Sequence, residues 1–266
     1  MSFWTSLDPR YRVLLCDIWG VVHDGVQLYP NAAERLAEWR LEGRKVILIT
    51  NAPRPADAVE AQLGRIGLPS SCWDGISTSG EAGIAALKAL GRPVGFIGTC
   101  QDREILEAHG LSFAEDGFAD IAVTGLDDDR SQVADFERQL QSLAARDVLL
   151  HCLNPDRMVV RGGVPEPCAG ALADAYGAIG GRVEWYGKPH RAIYDHALSL
   201  AGDPPDTSVL AVGDALQTDM LGAARSGFDA VFVQGGIHAG EPWPDDFAVT
   251  NGLGDWRPVA IVDGLG

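Results

Sequence analysis

The stretch Val13-Leu14-Leu15-Cys16-Asp17-Ile18-Trp19-Gly20-Val21-Val22-His23-Asp24-Gly25 decides how this chain reads. Four apolar residues end on a carboxylate, and Gly20 offers a turn soon after it. A short continuous apolar run closed in this way predicts a strand covered on both faces, with Asp17 delivered to its end. Three later clusters have the same setting. Thr50-Asn51 follows Val46-Ile47-Leu48-Ile49, Gly213-Asp214 follows an apolar run at 209–212, and Gly187-Lys188-Pro189 follows a β-like run at 183–186. In an open parallel sheet, ligands bind beyond the carboxyl ends of the strands. A carboxylate, a hydroxyl, an ammonium and further carboxylates are therefore expected at one edge.

Helix-period segments alternate with these runs, which predicts βαβ units and a parallel sheet, an α/β fold. Asn31 with Glu34 reads as an N-terminal cap and its reciprocal acid, and Gly43 as the stop of that helix. Further helices are expected at 55–66, closed by Gly67, at 189–201, with Pro189 in the first turn and Gly202 after the end, and at 218–225, stopped by Gly227. The last strands are expected at 230–233 and 259–262. The middle reads as its own α/β unit, with strands at 94–97, 121–124, 148–152 and 158–160 and helices near 102–109, 131–146 and 169–179. All four chemical clusters flank it. The simplest organisation is a discontinuous core domain, 1–79 and 183–266, interrupted by an inserted α/β domain, 80–182.

The 266 residues, 46% apolar and 22% charged, suit a globular chain with ample length for a core. No stretch reaches the roughly 20 apolar residues that cross a bilayer. The first ten residues lack the basic and apolar regions of a signal peptide, so a cytoplasmic protein with no membrane partner is expected. The five cysteines, at 16, 72, 100, 152 and 168, are odd in number and lack CxxC spacing, which argues against a disulfide framework or structural zinc. A formal charge of −16 argues against nucleic acid as a partner. The run Asp127-Asp128-Asp129 reads as a solvated loop before a helix rather than a metal cluster.

Each cluster supplies one part of phosphoryl transfer. A carboxylate such as Asp17 can take a phosphoryl group as an acyl phosphate. Asp214 and Asp219, with Asp17, would hold a hard divalent cation, for which Mg²⁺ is suited by its preference for oxygen ligands. Asp219 also reads as an acid favoured by a helix N-terminus. Thr50 offers a hydroxyl, and Asn51 and Ala52 the neighbouring contacts to substrate. Lys188 lies at a helix start, where a cation is disfavoured unless an anion is near.

The order Asp-x-x-Gly-Val, Thr-Asn, Gly-Lys-Pro and Gly-Asp-x-x-x-x-Asp resembles the haloacid dehalogenase superfamily. Gly187-Lys188-Pro189 followed by Ile193-Tyr194, with Asn154-Pro155-Asp156 before it, resembles its class IIA, the nitrophenyl-phosphatase-like group with a large inserted cap. The resemblance implies a Rossmann-like core, an α/β cap, Mg²⁺, and hydrolysis of a small organic phosphate, a sugar phosphate or nucleotide. It further implies Asp17 as nucleophile, Thr50 as phosphate-binding hydroxyl, Lys188 as stabilising cation, and Asp214, Asp219 and the Trp19 carbonyl as metal ligands beside Asp17. Asn154 and Asp156 resemble a substrate-selecting loop, and Arg54 is a candidate for the leaving group. Cys168-Ala169-Gly170 reads as small-residue packing, and His196 and His238 as ordinary histidines.

Trp19 departs from the pattern. Phosphatases of the superfamily usually carry an aspartate there, which protonates the leaving group, help worth about 10²–10⁴-fold. Indole has no titratable group in range. The open alternatives are a substitute such as His23 or Asp24, a good leaving group, or poor turnover. Two rival readings follow: a carbon–halogen hydrolase of the same superfamily, and a catalytically impaired ligand-binding protein. The expected partner is a small phosphorylated metabolite, with a homodimer left open.

Overall fold

Val13–Asp17 forms the first strand, β1, and all five of its residues are buried. The structure, a computed structural model, describes residues 3–161, 164–235 and 243–266. The next elements are α1 (Ala32–Leu41), β2 (Lys45–Thr50), α2 (Ala56–Ile66), β3 (Gly75–Thr78), α3 (Ser79–Ala89), β4 (Gly95–Ile97), α4 (Cys100–Ala108), β5 (Asp120–Val123) and α5 (Glu137–Ala145). They are followed by β6 (Leu149–Cys152), β7 (Met158–Arg161), β8 (Val164–Pro167), α6 (Ala169–Ala178), β9 (Arg182–Trp185) and α7 (Arg191–Ala201). The chain ends with β10 (Val209–Gly213), α8 (Leu221–Ser226), β11 (Asp229–Val233), α9 (Phe247–Thr250) and β12 (Ala260–Val262).

Two units divide the chain. One comprises Met1–Thr50, Asp57–Ser77 and Lys188–Gly266, the other Asn51–Ala56 and Thr78–Gly187. The first holds a six-stranded sheet in the order β12-β11-β10-β1-β2-β3. β1 runs parallel to both neighbours, with Asp17 opposite Ile49 of β2 and Cys16 opposite Val212 of β10. Val13, Leu15, Ile47 and Ile49 pack with Ile193, Tyr194 and Ala197 of α7 in one core cluster. The alternate residues Leu14, Cys16, Val46 and Leu48 are equally buried. Burial of both alternating sets is why these strands read as unbroken apolar runs.

The second unit holds the parallel sheet β4-β5-β6-β9 and the antiparallel pair β7-β8. Ile121, Val123, Leu150 and Cys152 form its core with Phe136 and Leu140 on one side of the chain order and Leu172 and Tyr176 of α6 on the other. A polar chain is buried in this unit. The imidazole of His151 lies 3.0 Å from Asp120 Oδ1 through Nε2 and 2.7 Å from the Tyr186 hydroxyl through Nδ1. Arg92 bonds the other Asp120 oxygen at 2.5 Å.

Several elements differ from the sequence expectation. Residues 183–186 were expected to resume the core domain, yet β9 pairs with β6 in the four-stranded sheet. Local pattern states that a strand exists, not which sheet receives it. Asn31 does not cap α1 through its side chain; it adopts a left-handed conformation, φ 63°, and only its carbonyl joins the helix. A side-chain cap needs an extended backbone, and asparagine enters the left-handed region at little cost. Residues 216–220 form one wide π turn before α8 rather than a regular helical start. β3, α3 and β8 had no expectation, because Gly-Ile-Ser-Thr and Val-Pro-Glu-Pro lack a clear apolar period. No described helix is long and apolar enough to cross a membrane.

Candidate active site

The first unit brings four of the expected groups to the carboxyl ends of β1 and β10. Asp17, Lys188, Asp214 and Asp219 are all buried, each 5% exposed or less. Lys188 Nζ donates to Asp17 Oδ1 at 2.5 Å and to Asp219 Oδ1 at 2.7 Å. One carboxylate oxygen from each of Asp17, Asp214 and Asp219 lies within 4.8 Å of the others, the one such cluster among the described residues.

Glycines make this closeness achievable. Gly20 has φ +90°, and a Cβ there would lie 2.0 Å from Asp214 Oδ2. A Cβ on Gly213 would lie 2.3 Å from Asp219 Cβ. Either position filled by a larger residue would push a carboxylate out of the cluster. The π turn that carries Asp219 is held in part by that residue, whose Oδ2 accepts the Ala215 N–H at 3.2 Å. The helix-acid alternative for Asp219 thus gives way to a side chain turned into the cluster.

Electrostatically the cluster is short of positive charge. Burial first, and then the charge of Asp219, hold the Asp17 carboxyl well above the usual carboxylate range, against the pull of Lys188. Burial opposes charge on Lys188 too, but Asp17 and Asp219 outweigh it and hold the ammonium well above its ordinary value. Three carboxylates face one ammonium, so a divalent cation would bring the set to neutrality. An all-oxygen, buried donor set of this kind fits a hard ion such as Mg²⁺.

Thr50, at the end of β2, is 9% exposed and neighbours β1 in the sheet. Trp19 is 39% exposed and meets His23 edge to face, ring centroids 5.5 Å apart. Neither proposed substitute for the absent acid is equipped for it. His23 is buried, its Nδ1 accepts the Gly25 N–H at 2.8 Å, and burial lowers its pKa despite Asp24. The N–H groups of Gln27 and Val26 hold the Asp24 carboxyl below its usual range, as a carboxylate that accepts rather than donates.

The remaining expected residues belong to the second unit. Asn51 Nδ2 donates to Asp156 Oδ1 at 2.8 Å, and Asn154 Oδ1 accepts the Asp156 N–H at 3.1 Å, so these three converge. The Ala52 carbonyl accepts the Gly80 N–H at 3.0 Å. Arg54, the candidate for the leaving group, bonds Asp102 at 2.9 Å and Gln101 at 3.2 Å. Asp102 lies in the first turn of α4, and nothing in its local pattern marks it as the partner of Arg54. Asp127 pairs with Arg130, and Asp128 accepts the Cys100 N–H, as a solvated loop would. His196 is tied to Ser77 Oγ at 2.9 Å. Cys168 is buried beside tightly packed Gly170, and His238 lies outside the described residues. The buried Asp120–His151–Tyr186 chain escaped the sequence reading, since its members come from three separate strands and loops without a motif.

Comparison with known proteins settles the family. The profile of the haloacid dehalogenase-like hydrolases matches residues 14–112, and one described as HAD-hydrolase-like matches residues 185–265. A haloacid dehalogenase-like hydrolase from Brucella suis 1330 has a solved structure that is 35% identical, with a TM-score of 0.84 over 98% of each chain. The chain belongs to this family. Among curated relatives, the ribonucleotide monophosphatase NagD of Escherichia coli K12 is 29% identical over 231 residues, 84% of this chain and 88% of the relative. The acid sugar phosphatase of Staphylococcus saprophyticus is 25% identical over 232 residues, 86% of this chain and 88% of the relative. The likeness to NagD accords with class IIA of the haloacid dehalogenase-like hydrolases, the group whose motifs the sequence carries.

Proposed function

We propose that this haloacid dehalogenase-like hydrolase is a Mg²⁺-dependent phosphatase of small organic phosphates that works through an aspartyl-phosphate on Asp17. The observation that carries the proposal is the buried meeting of Asp17, Asp214 and Asp219 with Lys188. Sugar phosphates and nucleotides are the first classes to try, because relatives bear those names.

In this reading Asp17, Asp214, Asp219 and the Trp19 carbonyl hold the ion. When bound, Mg²⁺ offsets the repulsion between anionic nucleophile and anionic substrate and orients the phosphoryl group. Asp17 attacks phosphorus and takes the phosphoryl group, and the substrate oxygen leaves. Water then releases phosphate and restores the carboxylate. Lys188 aligns the Asp17 oxygen before attack and balances the charge that gathers on the phosphoryl oxygens. Thr50 donates its hydroxyl to one of those oxygens. Asn51, Ala52, Asn154 and Asp156 are assigned to substrate selection.

The test is a phosphate-release screen over sugar phosphates, nucleotides, acyl phosphates and aryl phosphates, with Mg²⁺ and with EDTA. Activity that needs Mg²⁺ and vanishes in Asp17→Asn, together with loss of the acid-stable, base-labile phosphoenzyme, is expected. Halide release from haloacids that survives EDTA would replace this reading with carbon–halogen hydrolysis. Metal-dependent phosphate binding without turnover on any substrate would replace it with ligand binding.

A further inference from the structure

At the carboxyl ends of β11 and β12 the first unit holds a cavity of about 390 Å³, walled by Gly20, Val21 and residues 29–31 together with Val233 and residues 262–266. That volume is in the range of small-molecule sites, about 300–1,000 Å³, and it lies at the edge of a parallel sheet where ligands bind. Gly20 also faces the metal cluster, since a Cβ on it would meet Asp214. None of Asp17, Asp214 and Asp219 lines the cavity, so it adjoins that cluster without being part of it.

The walls are held by backbone contacts. Val233 pairs with Val262, and Gln234 N–H donates to the Val262 carbonyl at 2.7 Å. Trp4 Nε1 donates to the Gly264 carbonyl at 2.8 Å and Arg35 Nε to the Leu265 carbonyl at 2.9 Å. Gly235 packs on the Asp263 carbonyl too closely to carry a Cβ. These contacts leave the polar side chains of the lining aside. The Tyr29 hydroxyl, the Asn31 amide and the Asp263 carboxylate have no hydrogen-bond partner among the described residues.

Those three groups define what the cavity can take. A hydroxyl and an amide each donate and accept, and a carboxylate accepts. Burial first, and then the charges of Asp24 and Asp214, hold the Tyr29 pKa above its ordinary value, so the hydroxyl keeps its proton. No lysine, arginine or histidine lines the cavity among the described residues, which leaves an anion without a counter-charge. A compact cation would meet one carboxylate and lose the rest of its hydration to Val21, Val233 and Val262. An uncharged polyol suits both halves of the lining: its hydroxyls donate and accept, and its C–H faces lie against valine.

We propose that this cavity binds a small uncharged polyhydroxylated molecule, a sugar or polyol, through Tyr29, Asn31 and Asp263. The inference goes beyond the phosphatase reading and stands apart from it. The test is amide NMR of the wild-type protein in EDTA, titrated with D-glucitol and with D-glucose. Saturable shifts are expected at residues 29–31 and 262–265. Tyr29→Phe, and Asn31→Gly, which keeps the left-handed φ of 63°, should each weaken the affinity by about 2–10-fold, the scale of one hydrogen bond. Gly264→Leu should abolish the shifts by filling the cavity, because a Cβ there meets nothing within 4 Å and the backbone lies outside the left-handed region. Glucose 6-phosphate separates a free sugar from the sugar end of a phosphate ester, and it should bind these residues more weakly than glucose.

No saturable shift at these residues with either polyol, a measurement that needs no variant to fold, would overturn the inference. Unchanged affinity in folded Tyr29→Phe and Gly264→Leu would do the same. Inorganic phosphate and ethylammonium chloride should leave the polyol shifts in place, and competition by either would overturn the assignment to an uncharged ligand. So would glucose 6-phosphate binding as tightly as glucose. Phosphate release is read in no arm, so a failure of the phosphatase reading is told apart from a failure here.

Discussion

Replacing Lys188 with methionine removes the one cation that two buried carboxylates share. In the wild-type protein its Nζ bonds Asp17 at 2.5 Å and Asp219 at 2.7 Å, with Asp214 in the same cluster. Breaking a buried ion pair by deleting one partner costs about 3–5 kcal/mol. At about 2–4 °C per kcal/mol for a chain of this size, Lys188→Met should lower the melting temperature by about 6–20 °C in EDTA. The sign of the pH dependence follows from Asp17. Burial and Asp219 raise its folded pKa well above the unfolded value, so the folded state keeps a proton that the unfolded state releases. The stability from that proton is complete below the unfolded carboxylate pKa of about 3.9 and is lost as pH rises through the raised folded value. Without Lys188 the folded carboxylates hold protons more strongly still, so the gap between variant and wild type should widen as pH rises through the raised folded value of Asp17. Millimolar MgCl₂ should narrow it, because the ion supplies the charge that the lysine did. Thermal unfolding followed by circular dichroism, with EDTA or Mg²⁺ over a series of pH values, measures all three effects. If the two proteins melt together in EDTA at the highest pH, or the gap closes as pH rises, the shared-cation argument is wrong.

Asp74 tests the opposite sign. Burial pushes its pKa up, but Arg40 at 2.9 Å and the Val46 N–H at 2.9 Å outweigh that and lower it. Asp74→Asn should therefore cost about 1–3 kcal/mol in urea unfolding at neutral pH, a cost that fades as pH falls through the depressed folded pKa. Gly20→Ala strains a backbone at φ +90° and drives a methyl group into Asp214. Calorimetry should show Mg²⁺ affinity reduced by about 10–100-fold, the range for disturbed support of a metal ligand, and unchanged affinity would remove Gly20 from that role. His151→Phe leaves the Tyr186 hydroxyl and an Asp120 oxygen without their imidazole partner in a buried setting. A loss of about 2–5 kcal/mol is expected, seen as faster hydrogen exchange in β5 and β6, and exchange at the wild-type rate would show the chain to be dispensable.

Much of the first unit was legible because its signals are local. The apolar run before Asp17, Gly227 ending α8 and Gly202 ending α7 each act through their immediate neighbours. The convergence of Asp17 with Asp214 and Asp219 was also legible, because the ends of β1 and β10 share an edge of one parallel sheet. Lys188 joins them although the strand before it, β9, belongs to the other sheet. What failed depends on distant partners. The sheet that takes β9 is decided by Leu149–Cys152, not by anything within β9. Asp102, the partner of Arg54, lies 48 residues later. Asn31 and His23 fail differently: each has a residue type suited to a role, but backbone conformation in one case and burial in the other assign it elsewhere. Residue type proposes chemistry, and only geometry says whether the group is at liberty to perform it.

β1 lies between β2 and β10 in the sheet, although β10 follows it by roughly 190 residues. On a ribosome adding about 5–20 residues per second, one flank of the nascent β1–β2 pair would wait about 10–40 s for its second neighbour. For that interval an apolar strand with unsatisfied backbone groups faces the surroundings, a ready template for intermolecular pairing. Yield during synthesis should accordingly depend on chaperone supply and on translation speed through the intervening segment, independently of how stable the finished protein is.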